Sequence, residues 1–126
     1  MPTIQVNTPA ATYDVVVGQN LLRTLYPRLR KLNGARPLRT FLVTSPEIWK
    51  AWRQQVLASF PADAQPAVLF VPPGESHKRL AQVEALAQQL ALAGADRDSV
   101  LLAFGGGVIG DMTGFLAAIY MRGIRY

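Results

Sequence analysis

With 126 residues the chain is long enough for one domain with a real core and too short for two. Half of it is apolar (50%) and 17% is charged, with a mean hydropathy of +0.16, which excludes a disordered tail. There is no cysteine, so a disulfide scaffold, a thiolate zinc site and a cysteine nucleophile are excluded, and a reducing compartment fits.

Thirteen basic residues against eight acidic ones give a net charge of +5 and a pI near 10.1. That balance invites a nucleic-acid partner, but the distribution opposes one. Six of the bases, Arg23, Arg28, Arg30, Lys31, Arg36 and Arg39, fall between Asp14 and Glu47, where no acid intervenes. No stacking aromatic motif, zinc-finger spacing or recognition-helix signature accompanies them. They read as a solvated helix face and loop, and their field favours an anionic small substrate. No basic leader with an apolar run opens the chain, and no apolar stretch reaches the ~20 residues of a spanning helix. The expectation is a soluble, cytoplasmic protein with neither nucleic acid nor membrane as partner.

In chain order, Thr3-Ile4-Gln5-Val6 and, in part, residues 13–17 alternate at period two around a turn-rich link at 7–11, which predicts an antiparallel hairpin. Gly18-Gln19-Asn20 ends the second strand. Leu21, Leu22, Leu25, Leu29 and Leu32 then recur at helical spacing up to Asn33-Gly34. Phe41-Leu42-Val43-Thr44 reads as a buried strand. Ser45-Pro46 caps the next helix, which Ile48, Trp52 and Val56 continue. Residues 67–71 form a second buried strand, Pro72-Pro73-Gly74 a loop, and Leu80, Val83, Leu86 and Leu90 a helix closed by Gly94. Residues 100–104 are a third apolar run, followed by three glycines and a helix to about Met121. Continuous apolar strands alternating with amphipathic helices predict an α/β fold: a Rossmann-like parallel sheet with helices on both faces, preceded by the hairpin. Ile124-Arg125-Tyr126 resembles the start of another strand, so the expectation is a fragment of a longer protein.

Ligands of such sheets bind beyond the carboxyl ends of the strands, which singles out residues 44–47, 72–78 and 105–111. Gly105-Gly106-Gly107-Val108-Ile109-Gly110 satisfies G-x-G-x-x-G between a predicted strand and a predicted helix. Glycines let backbone approach a diphosphate, and the helix start offers free N–H groups. The acid expected about 20 residues on for the ribose is missing. Asp111 either compensates the helix dipole or faces a ribose, the nicotinamide end or substrate, since an anion beside a diphosphate is repulsive. In Pro73-Gly74-Glu75-Ser76-His77-Lys78, Glu75 can accept from a ribose and Lys78 can donate to a phosphate or carbonyl. His77, the single histidine, reads as an exposed loop residue or a stack against a ligand and makes no metal site by itself.

Taken together, these two segments and Met112-Thr113-Gly114-Phe115 followed by Tyr120-Met121-Arg122-Gly123 resemble the 3-dehydroquinate synthase family, over its N-terminal nucleotide-binding domain. The resemblance implies a lyase that closes 3-deoxy-D-arabino-heptulosonate 7-phosphate, a phosphorylated sugar acid, into 3-dehydroquinate with loss of phosphate, in the shikimate pathway. It implies NAD as a recycled cofactor, a divalent metal (zinc or cobalt), and a homodimer. Carried over residue by residue, Pro73, Gly74, Glu75, Ser76, His77 and Lys78 match the NAD-contacting loop. Gly106, Gly107, Val108, Ile109, Gly110 and Asp111 match the turn that holds the diphosphate and nearby ribose. Arg122 matches an arginine that reaches substrate phosphate from the neighbouring subunit. Its plainer role is to complement the dipole at a helix C-terminus. The family often has an acid at Ser45; serine weakens that contact or leaves Glu47 to replace it. The metal ligands, a glutamate and two histidines, and the substrate lysines belong to segments outside this chain. No catalytic or metal residue is therefore expected within it, and the piece alone should be inactive. Another sugar-phosphate cyclase, or a stand-alone nucleotide-binding module without catalysis, are the alternatives.

Overall fold

The computed structural model describes residues 2–126. Strands β1 (Thr3–Asn7) and β2 (Thr12–Val16) pair antiparallel, Thr3 opposite Val16 and Asn7 opposite Thr12. Thr8 closes their turn through its backbone amide and hydroxyl, both donating to the Ala11 carbonyl. The ribbon is exposed along nearly its whole length. Its alternating apolar residues Ile4, Tyr13 and Val15 face solvent.

A single 3-10 turn, Leu21–Thr24, precedes helix α1 (Leu25–Asn33). The sequence pattern merges the two. Pro27 separates them, because it has no N–H to give to the carbonyl of Arg23 and is tolerated only in a first α-turn. Leu32 continues the apolar spacing but is 84% exposed.

Strand β3 (Thr40–Thr44) lies between β4 (Ala67–Phe70) and β5 (Val100–Ala103), parallel to both. Only β3 is buried on both faces throughout. The two outer strands were expected to be so as well, but β4 has a neighbour on one side only, leaving Phe70 41% exposed, and β5 has on its outer side only the single parallel bridge from Val100 to Arg125.

The pleat divides the core. Phe41 and Val43 join Leu69, Val71 and Leu101 against α3 (Leu80–Leu92) and α4 (Gly107–Ile119). Leu42 turns the other way, onto Val56 and Phe60 of the α2 (Pro46–Ala58) side and onto α1. The Tyr26 ring meets Phe60 edge-on at 5.5 Å. Burying Leu86, Leu90, Leu101 and Leu116 contributes roughly 1.5–3 kcal/mol each.

This arrangement decides where a ligand can go. The chain leaves β3 toward one face through α2 and leaves β5 toward the opposite face through α4. The carboxyl ends of β3 and β5 are neighbours whose following loops diverge, which is the topological switch point of an open α/β sheet. The Thr44 hydroxyl pins this mouth by donating to the Phe104 carbonyl at 2.7 Å.

Candidate functional site: a glycine turn and a lysine–aspartate bridge

Two of the three segments expected at the strand ends meet. Lys78 Nζ lies 2.7 Å from Asp111 Oδ2 and 3.6 Å from Glu75 Oε1. The loop after β4 is thereby tied to the first turns of α4. The hydrogen bond from Lys78 to Asp111, and then the charges of Asp111 and Glu75, raise the Lys78 amine above its ordinary pKa. Lys78 offsets the charge of Asp111, and with Glu75 also in reach the cluster sets one ammonium against two carboxylates.

The glycines of the turn have different tasks. A Cβ on Gly105 would stand 2.4 Å from Ile109 Cδ1 and 3.1 Å from Ile48 Cδ1, so Gly105 is needed for packing. A Cβ on Gly106 or Gly107 would meet nothing within 4 Å. These two present bare backbone to open space. Gly106 is the N-cap of α4 and has no side chain to cap it, so the first amides of the helix face that space unsatisfied. Backbone donors with room in front of them suit an anionic, diphosphate-sized group.

Other expected residues are occupied elsewhere. Ser45 is buried and caps α2 by accepting from the Ile48 amide at 3.4 Å. Glu47, in the first turn of the same helix, is exposed. His77 donates from Nδ1 to the Pro73 carbonyl at 2.9 Å, since that oxygen can only accept; this folds the residue 73–78 loop back on itself. Gly74, at φ +99°, supplies the left-handed corner of that loop.

Arg122 does not join the cluster. It sits beyond the far end of α4, roughly 20 Å along the helix from Gly107 at 1.5 Å per residue. Its side chain is exposed and has no polar partner among the described residues, and its backbone is left-handed (φ +67°), as is that of Met121 (φ +46°). Left-handed backbone in non-glycine residues costs about 1–2 kcal/mol each.

One feature of the site escaped the sequence. A groove of about 1230 Å³ opens between the 3-10 turn, α2 and the end of β5, lined by Gly18, Asn20, Trp52, Phe104 and Gly106. Trp52, placed by its spacing on the core face of α2, is 48% exposed and lines that groove. The basic run is also more committed than its composition implies. Arg39 donates to the Gly94 and Ala93 carbonyls at the end of α3, and Arg30 to those of Gly34 and Arg36. Among the described residues no three metal-ligating side chains gather, and no helix is long and apolar enough to cross a membrane.

Comparison with known proteins agrees with this geometry. The 3-dehydroquinate synthase N-terminal family profile matches residues 68–126, which contain both halves of the bridge. The chain matches the N-terminal part of the 3-dehydroquinate synthase family. The 3-dehydroquinate synthase of Solibacter usitatus is 41% identical over 98% of this chain and 33% of its own length. That of Shewanella loihica is 41% identical over 100% of this chain and 34% of its own. The chain thus spans about a third of the length of the curated relatives it matches.

Solved structures share the α/β fold with its N-terminal hairpin. A 2-deoxy-scyllo-inosose synthase, complexed with carbaglucose-6-phosphate, NAD+ and Co2+, superposes with a TM-score of 0.81 at 21% identity, covering 98% of this chain and 33% of that one. A 2-epi-5-epi-valiolone synthase from Streptomyces hygroscopicus, with NAD+ and Zn2+ bound, gives 0.72 at 25% identity over 96% of this chain and 33% of that one.

Proposed function

We propose that this chain is the NAD-binding part of a 3-dehydroquinate synthase, a lyase that converts 3-deoxy-D-arabino-heptulosonate 7-phosphate into 3-dehydroquinate and phosphate. The observation that carries the reading is the Lys78–Asp111 bridge on α4, one helical turn from the open backbone of Gly107, within the segment that the family profile matches. The diphosphate of NAD would lie on the free amides at the start of α4. Lys78, Asp111 and Glu75 would face the adjoining ribose, the ammonium offering donors and the carboxylates accepting from hydroxyls. Pro73, Gly74, Ser76 and His77 would shape the loop around them. When bound, NAD supplies a temporary oxidation of a ring hydroxyl to a ketone, which acidifies the neighbouring C–H and makes loss of phosphate accessible. A divalent metal, zinc or cobalt, would be held by residues outside this chain. Its role would be to polarise the oxygen of that hydroxyl.

The distance of Arg122 from the glycine turn supports its acting in a different site from the NAD that its own chain holds. In a homodimer it would reach substrate phosphate in the neighbouring subunit. Such an enzyme acts in the cytoplasm in aromatic amino-acid biosynthesis, and the 126-residue piece alone would be inactive.

The test is phosphate release by the full-length protein, supplied with NAD, a divalent metal and the seven-carbon substrate. Turnover of that substrate, and none of a hexose 6-phosphate, supports the reading. The reverse preference would assign the chain to another sugar-phosphate cyclase, and NAD binding with no turnover to a nucleotide-binding module.

A further inference from the structure

Two arginines three residues apart have opposite fates. Arg122 has no polar partner among the described residues, whereas Arg125 is held through both of its terminal nitrogens. The Arg125 guanidinium donates from Nη1 to Asn33 Oδ1 and from Nη2 to the Asp98 carbonyl, the latter at 2.9 Å. Both acceptors are themselves fixed. Asn33 is buried at the end of α1, and its Nδ2 donates to the Arg36 and Pro37 carbonyls. Asp98 lies in a turn closed by Asp96 and the buried Ser99, whose hydroxyl accepts from the Asp96 amide at 2.9 Å.

The chain between the two arginines is the most strained of the described backbone. Met121, Arg122 and Gly123 follow one another at φ +46°, +67° and +117°. Left-handed backbone persists in non-glycine residues only where the surroundings over-determine it. Here they do so from both sides. Upstream, the buried Tyr120 donates its hydroxyl to the Ala95 carbonyl at 2.9 Å. Downstream, the Ile124 amide donates to Ala117, and the Arg125 carbonyl accepts from the Leu101 amide at the edge of β5. Gly114 leaves room for the terminal ring: a Cβ there would stand 3.0 Å from the Tyr126 hydroxyl.

We propose that Arg125, clamped to Asn33 and the Asp98 carbonyl, is a positioning residue that holds the left-handed Met121–Arg122 turn and thereby aims the free Arg122 guanidinium at an anionic group. With the proposed role of Arg122, on which this rests, that group is the substrate phosphate. Without the clamp the downstream anchor loosens. Met121 and Arg122 then relax toward right-handed backbone, and the guanidinium swings off its line.

The experiment is steady-state kinetics of the full-length enzyme, with NAD affinity measured separately and inorganic phosphate as a competitive probe. Arg122→Ala should raise the substrate KM and weaken inhibition by phosphate. Arg125→Ala should do the same to a smaller extent, about five- to tenfold, at unchanged NAD affinity, because a misaimed group loses much of its grip without being absent. Arg125→Lys, which retains the charge and one donor group, should fall between Arg125→Ala and wild type.

The deciding variant is Arg125→Ala combined with Met121→Asn. Asparagine tolerates left-handed backbone, so it should restore the turn and recover part of the lost phosphate affinity. A raised KM in Arg122→Ala beside an unchanged KM in Arg125→Ala and Arg125→Lys overturns the positioning role. A raised KM in the Arg125 variants with no recovery from Met121→Asn also overturns it, reducing Arg125 to a structural clamp. An unchanged KM in Arg122→Ala overturns instead the assignment of Arg122 itself.

Discussion

Lys78 Nζ donates to Asp111 Oδ2 across 2.7 Å, joining two loops that lie 33 residues apart in the chain. Neither residue stands out in its own segment, where a loop with one acid and one base is commonplace. Their bridge joins the loop after β4 to α4, one helical turn beyond the open backbone of Gly107.

The first prediction concerns the charge state of that bridge. Asp111, through its hydrogen bond and its charge, holds the Lys78 amine above its ordinary pKa, with a smaller push from Glu75. A raised lysine pKa contributes stability that is complete below the unfolded value of about 10.4 and is lost as pH rises through the folded value. Lys78 should therefore remain an ammonium across the neutral range. NMR titration of its Nζ should give a midpoint above that of ordinary lysine, and Asp111→Asn should lower it. At pH 7 the variant leaves the Lys78 charge unchanged, so any fall in NAD affinity reports on Asp111 itself.

A second prediction separates the glycines. Gly105→Ala drives a methyl into Ile109 and Ile48 and should destabilise the fold by about 1–3 kcal/mol, read as a lower denaturant midpoint. Gly107→Ala meets open space and should leave the midpoint unchanged or raise it by up to about 1 kcal/mol. The order reverses for NAD. Gly107→Val fills the space that the diphosphate would enter and should abolish most of the affinity. Equal effects of the two positions on stability would show that the turn merely packs.

Much of this was legible before any coordinates. The period-two hairpin, the strand–helix alternation and the Ser45-Pro46 cap appear where local pattern and chemistry place them. What escaped was set by tertiary geometry. Trp52 and Leu80 keep helical spacing, yet Trp52 is 48% exposed and Leu80 stands 73% exposed at the start of α3. The spacing of apolar residues says which face of a helix they share, but not how wide the sheet beneath it is. The pairing of Lys78 with Asp111 was equally hidden, since a contact across 33 residues depends on which strand ends are neighbours.

Ser45 gives a third prediction. Its side chain is spent on the Ile48 amide, so Ser45→Ala should cost about 0.5–1 kcal/mol through the lost cap. Denaturant titration should show a lower midpoint at unchanged slope. NAD affinity should not change. A marked loss of affinity would mean that Ser45 leaves its cap to serve the ribose, the role that Glu47 is free to take.

The last prediction tests whether Arg122 works across a subunit boundary. A guanidinium grips phosphate with two parallel hydrogen bonds, whereas lysine supplies a point charge. Arg122→Lys in the full-length enzyme should raise KM about ten- to a hundredfold, the equivalent of about 1.5–3 kcal/mol for hydrogen bonds to a charged group, at nearly constant NAD affinity. Arg122 lies beyond the far end of α4 from the glycine turn, so within one chain it is poorly placed to serve a ligand bound at that turn. If each site of a dimer takes Arg122 from one chain and its metal from the other, neither an Arg122 variant nor a metal-ligand variant has an intact site alone. A mixed dimer of the two then has one site carrying both lesions and one carrying neither. Mixing the two variants should recover up to half of the wild-type rate per mixed dimer. Steady-state rates that stay at the level of the separate variants, despite demonstrated subunit exchange, would place Arg122 and the metal in the same chain's site.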